Sequence, residues 1–158
     1  MEDYARDGRL DSRAFASAVL IEKIVREAYE HRRSSEVQPL QWSILRYLRL
    51  ASDDRCTIAW IASFLGMTHA PVVRAVRTLL RRNYVLQEDN PADGRSKIIR
   101  LSREGLIQLS EDPLLGVAER IDRLSEDQKQ ALISAVRRLF SDVGPRKEAQ
   151  QDDSRPSG

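Results

Sequence analysis

The chain has 158 residues, 41% of them hydrophobic and 32% charged, enough apolar content for a core under a densely charged surface. No apolar run reaches the roughly 18 residues of a membrane span, the charged first ten residues lack an apolar leader core, and the single cysteine, Cys56, excludes an internal disulfide framework. Net charge is only +2, yet residues 69–103 hold eight basic residues against three acidic ones, while residues 1–68 balance at ten of each. A basic block in a near-neutral chain marks either a polyanion-binding segment or a plain solvated face.

Apolar residues at Phe15, Ala18, Val19, Ile21, Val25, Ala28 and Tyr29 step by three and four, which predicts a long amphipathic helix over 12–36. Pro39 ends it, because proline is not tolerated in a helix interior. A second helix is predicted over 40–51 along the stripe Gln41, Ile44, Leu45, Leu48 and Ala51, and Ser52-Asp53-Asp54 is turn chemistry. Thr57 caps a short helix over 58–65 carrying Ile58, Ile61, Ala62 and Leu65, and Gly66 stands where a helix end wants a left-handed residue.

Thr68 then caps a helix over 68–82, with Pro71 tolerated in its first turn. Val72, Val73, Val76, Leu79 and Leu80 are assigned to its core side. Thr68, His69, Ala70, Arg74, Arg77 and Arg81 are left for the outer face. Two helices joined by a tight turn containing glycine make a helix-turn-helix. A short strand over 84–87, turn signals at Asn90-Pro91 and Asp93-Gly94, and a returning strand over 97–101 add a basic-tipped hairpin. The combination is a winged helix, whose second helix enters a major groove while the hairpin tip touches backbone or minor groove. At that tip Asp93, Arg95, Ser96 and Lys97 are candidate DNA contacts, with Asp93 placed to orient the Arg95 guanidinium.

Ser102 caps a further helix, Asp112-Pro113 interrupts it and restarts it, and Ser125-Glu126-Asp127-Gln128 is a capping box for a last one. That helix carries Leu132, Ile133, Val136, Leu139, Phe140 and Val143 up to Gly144-Pro145, and the polar run 146–158 is predicted to be disordered.

Taken together, Gln41-Trp42, Ile58-Ala59-Trp60-Ile61-Ala62, the segment 68–80, Arg82-Asn83-Tyr84-Val85, and Asp89 to Ser96 leading into Ile99-Arg100-Leu101-Ser102-Arg103-Glu104-Gly105 resemble the MarR (multiple antibiotic resistance regulator) transcription factors. The Asp-x-Arg wing followed by Leu-Ser-x-x-Gly is the specific part. Asn83 departs from the glycine usual before the wing strand, and Gly94 stands where a second basic residue is common. The resemblance implies a mainly α fold: a winged helix-turn-helix domain with a two-stranded wing at 37–105, flanked by dimerisation helices at 1–36 and 106–143. It also implies a homodimer on a pseudo-palindromic operator in double-stranded DNA, in the cytoplasm, released by a small-molecule effector.

Family ligand sites lie between the dimer helices and the winged helix, which points here to the first and second helices. Trp42 and Arg46, spaced i, i+4, share one face and form a plausible cradle for a small aromatic carboxylate, with Tyr29 and His31 adding polar contacts. Cofactors are not expected, since two histidines and one cysteine bring no ligand cluster, and no catalytic triad, carboxylate dyad or phosphate loop supports an enzyme. The alternative use of such a fold is protein docking without sequence-specific DNA binding.

Overall fold

A computed structural model describes residues 11–30 and 37–142. Helix α1 (Ser12–Tyr29) starts on Asp11, whose carboxylate accepts from the Arg13 N–H at 2.9 Å. It closes with a tightened bond from the Glu30 N–H to the Glu27 carbonyl, short of the expected end at 36. His31 and the rest of 31–36 lie outside the described residues. Pro39 opens α2 (Pro39–Leu50) as its first residue rather than merely ending α1, because the first turn needs no N–H from it. Gln41 reaches back to accept from the Gln38 N–H at 3.0 Å.

A 3-10 turn (Asp53–Arg55) leads to α3 (Ile58–Leu65), which ends on Gly66 at φ +60°, and α4 (His69–Arg81) follows. Strands β1 (Val85–Asp89) and β2 (Lys97–Leu101) pair antiparallel, Val85 opposite Leu101 and Asp89 opposite Lys97. An isolated bridge to the wing was not foreseen: Thr57 pairs with Ile98, and the Ile99 N–H donates to the Cys56 carbonyl at 2.7 Å. Adjacent Ile98 and Ile99 are both buried, Ile98 where the bridge covers it.

Ile44 and Leu45 of α2, Ile61 of α3, Val72 and Leu79 of α4, and Val85 and Ile99 of the wing are fully buried in one cluster. Each such side chain contributes about 1.5–3 kcal/mol relative to exposure. Helix α5 (Arg103–Leu109) is capped by Ser102, whose hydroxyl accepts from the Gly105 N–H at 2.9 Å. A Cβ on Gly105 would stand 2.0 Å from the Tyr84 carbonyl oxygen, so only glycine lets α5 close onto the wing's entry. Asn83 holds the left-handed φ of 58° that the resemblance assigns to glycine, a conformation asparagine tolerates.

Helix α6 (Leu115–Asp122) starts two residues later than expected; Asp112 caps the Leu114 N–H at 2.8 Å. Helix α7 (Glu126–Asp142) opens on the capping box, Gln128 Oε1 accepting from the Ser125 N–H at 3.1 Å and the Gln128 N–H donating to the Ser125 hydroxyl at 3.4 Å. Val143 and the tail lie outside the described residues. Helix α1 packs on α6, and α2 on α5. No residue of α1 is buried, and Phe15, Val19 and Ile24 of α1 stay exposed together with Val136, Leu139 and Phe140 of α7. Among the described residues no helix is long and apolar enough to cross a membrane.

Candidate nucleic-acid interface

The helix-turn-helix is α3, the Gly66 turn and α4. Thr57 Oγ1 accepts from the Trp60 N–H at 3.4 Å, as expected of a cap. Thr68 occupies the cap position of α4, but its hydroxyl caps nothing and stands exposed. On α4, Val72, Ala75, Val76 and Leu79 are buried. Val73 and Leu80, assigned to the core, are only half-buried, and Ala75, left out of the core assignment, is buried. At 100° per residue Ala75, Leu79, Val72 and Val76 form one arc, and Val73 and Leu80 both fall beyond its Val76 edge.

His69, Ala70, Arg74, Arg77 and Arg81 are exposed with Thr68 on the remaining face. Arg74, Arg77 and Arg81 line a hollow of about 540 Å³ together with Thr78 and Leu80. The Arg81 guanidinium donates to Thr78 Oγ1 at 3.2 Å, which holds it along the last turn of the helix. Arg74 and Arg77 have no ion-pair partner among the described residues.

At the wing tip the expected role of Asp93 is corrected. Its carboxylate accepts from the Arg95 backbone N–H at 3.0 Å, and no ion pair forms with the guanidinium. This is an Asx turn, in which a short acidic side chain satisfies the backbone two residues on. Asn90, read from the sequence as a turn signal, plays a similar part, accepting from the Ala92 N–H at 3.0 Å and donating to the Ser96 hydroxyl at 2.7 Å. The tip is therefore shaped by its polar side chains, and Arg95 is left exposed and unpaired among the described residues.

Lys97 pairs with Asp89 across the strands, and this bond holds the Asp89 carboxyl below its usual range. Arg100 donates to Glu88 at 2.9 Å and to Asp53 at 2.5 Å, tying β2 to β1 and to the 3-10 turn. Its charge, counted in the basic block, is spent inside the fold. The start of α4 and the wing meet in a groove of about 390 Å³, where His69, Arg95, Ser96 and Lys97 come together.

The expected effector cradle is organised differently. Trp42 and Arg46 do share a face, with the guanidinium 6.0 Å from the indole centroid, but Trp42 is buried in the core. The Arg46 fork is taken by Asp112, with both bonds at 2.6 Å, and by the Tyr29 hydroxyl at 2.9 Å. Arg46 thus joins α2 to α1 and to the α5–α6 junction, and its intrachain carboxylate occupies the place drawn for a ligand. His31 lies outside the described residues. Cys56 is buried, its thiol donating to the Ser52 carbonyl at 3.3 Å. Burial, and then the charge of Asp53, push that thiol up, away from the reactive thiolate.

Residues 35–96 match the model of the MarR family. No curated protein matches the chain. Among solved structures, the S. aureus MepR–DNA complex is 19% identical with a TM-score of 0.65, covering 85% of this chain and 99% of that one. The PcaV transcriptional regulator from Streptomyces coelicolor, in complex with its natural ligand, is 19% identical with a TM-score of 0.61, covering 84% and 96%. S. aureus MepR bound to ethidium bromide is 18% identical with a TM-score of 0.54, covering 87% and 99%. At these identities the shared property is the fold: mainly helical, with a two-stranded antiparallel wing.

Proposed function

We infer that this chain, whose residues 35–96 match the model of the MarR family, is a homodimeric DNA-binding transcriptional regulator. In this reading it represses from a pseudo-palindromic operator and is released by a small acidic effector. One observation carries it: Arg74 and Arg77 on α4 and Arg95 on the wing are exposed and meet no carboxylate among the described residues, whereas Arg100 and Lys97 beside them are paired. Unpaired arginines on the two elements that dock on DNA suit phosphates and base edges. A protein-docking winged helix has no need of them.

The test is fluorescence anisotropy with random duplex and with the promoter beside the chain's own gene, across about 50 to 200 mM salt. Binding to random duplex is expected to weaken steeply with salt, and the promoter to bind more tightly. A flat salt response would favour the protein-docking alternative. In the same assay Arg95→Ala is expected to weaken binding to every duplex and to lower the salt slope by about one. An unchanged slope would place Arg95 off the DNA.

The dimer is supported by the exposed apolar faces of α1 and α7, where Phe140 alone is 70% exposed. Faces of this kind on a lone chain mark an interface. A two-fold dimer would set its recognition helices about 34 Å apart, one turn of DNA. Sedimentation equilibrium is expected to show a dimer at micromolar concentration, and a well-folded monomer there would rule the assembly out.

A further inference from the structure

We propose that Asp53 and Arg100 set the tilt of the wing against the helix-turn-helix, and so act as positioning residues for the contact that Arg95 makes with DNA. The tilt stands on its own; its use at Arg95 rests on the DNA-binding reading.

Asp53 and Glu88 run against the charge that a DNA-binding domain needs. Both stand within the winged helix, their side chains 77% and 52% exposed. Exposed carboxylates there weaken the attraction for phosphates. Both are nonetheless gathered on one cation: Arg100 Nε donates to Glu88 at 2.9 Å and a terminal nitrogen of its guanidinium to Asp53 at 2.5 Å. Two carboxylates on one arginine leave the cluster net negative, so it is not itself a phosphate contact. Its use follows from where the three groups sit. Glu88 is on β1, Arg100 on β2, and Asp53 in the 3-10 turn that leads into α3. Glu88 braces the guanidinium inside the hairpin, and Asp53 carries the tie across to the helix-turn-helix.

The backbone of β2 meets the same segment at one place, where the Ile99 N–H donates to the Cys56 carbonyl beside the Thr57–Ile98 bridge. A ribbon can pivot about a single attachment, and the Arg100–Asp53 bond supplies a second. Val85 and Ile99 bury the base of the hairpin, whereas Arg95 stands exposed at its tip. A small rotation at the base is therefore magnified at the arginine. Between Arg100 and Arg95 the chain extends up to roughly 16 Å, at about 3.3 Å per residue. A tilt of about 10° over that arm moves the tip by about 3 Å, the length of a hydrogen bond. Exposed ion pairs contribute little to stability, so losing this one leaves the fold in place and frees the wing.

The experiment compares the full chain with two matched variants, Asp53→Ala and Asp54→Ala. Each removes one negative charge from the same exposed turn. Asp54 accepts from the Ser52 side chain and lies near Arg55, and it forms no ion pair with the wing among the described residues. By charge alone both variants would bind promoter DNA more tightly. A misplaced wing gives Asp53→Ala the opposite sign: binding about threefold weaker per half-site, so about tenfold weaker on an operator with two. Asp54→Ala is expected to bind as the wild type does, or more tightly. In an Arg95→Ala background, Asp53→Ala is expected to add no further loss, because no contact is left to misplace. Residual dipolar couplings of the backbone amides, measured without DNA, read the tilt itself. One alignment is expected to fit α4 and the wing together in the wild type, and the wing's couplings are expected to shrink in Asp53→Ala while those of α4 stay. Unchanged couplings overturn the tilt. Tighter DNA binding by Asp53→Ala, equal weakening by both variants, or a full further loss in the Arg95→Ala background overturns the link to Arg95. A wild type without salt-dependent DNA binding defeats the regulator reading, and the couplings still decide the tilt.

Discussion

Asp112→Ala is expected to lower the unfolding free energy by about 3 kcal/mol, the lower edge of the range for breaking a buried ion pair. The side chains of Asp112 and Arg46 are only 9% and 24% exposed, and both bonds of the fork are 2.6 Å long. Burial is incomplete, so solvent screens part of the interaction, which argues against a larger figure. Two further losses act in the same direction. The Leu114 N–H forfeits its cap, and Arg46 is left as a part-buried cation with the Tyr29 hydroxyl and the Trp42 ring but no carboxylate. Urea unfolding of Asp112→Ala, Arg46→Ala and the double variant measures this. The double variant is expected to cost clearly less than the sum of the singles, since each already removes the pair. A change below about 0.5 kcal/mol in Asp112→Ala, the size of an ordinary surface substitution, would show that the pair does not hold the flanking helices to the winged helix.

That pair also marks where sequence reading stops. The helix-turn-helix was legible because its punctuation is local: Thr57 caps α3, Gly66 takes the left-handed φ, and Asp93-Gly94 lies in the turn between the strands. The i, i+4 spacing correctly placed Trp42 and Arg46 on one face of α2. What that face meets is a tertiary matter. The core covers Trp42, and a carboxylate 66 residues downstream takes Arg46. Nothing near either residue signals it, and an arginine beside an aromatic ring reads equally well as a ligand cradle or a structural clamp. The bridge at Thr57 is a single residue pair, which leaves no periodic signal in the sequence. Asp53 and Glu88 around Arg100 went unnoticed for the same reason as Asp112: a charge count along the chain cannot tell a free cation from a spent one. The usable surplus of the basic block is therefore smaller and more focused than its composition, and it rests on α4 and Arg95.

Arg74→Ala is expected to cost about 1–3 kcal/mol on operator DNA per half-site and to blur the preference for one base pair. Position along α4 decides the assignment. The first turns of a recognition helix reach base edges, while its later turns run toward the backbone. Arg74 stands in the second turn, exposed and free of ion pairs, behind the exposed His69 and Ala70. Ala70 leaves room for the helix to sit deep in the groove. Arg81 closes the last turn and is already held on Thr78 Oγ1, a position suited to a phosphate. The two variants should therefore separate. In a competition series with every single base pair of the half-site substituted, Arg74→Ala should flatten the response at one position and leave the others. Arg81→Ala should weaken all sequences alike and lower the salt slope by about one. If Arg74→Ala kept the full base preference and lost only salt-dependent affinity, Arg74 would be a phosphate contact, and Arg77, one turn on and equally unpaired, would become the base-reading arginine.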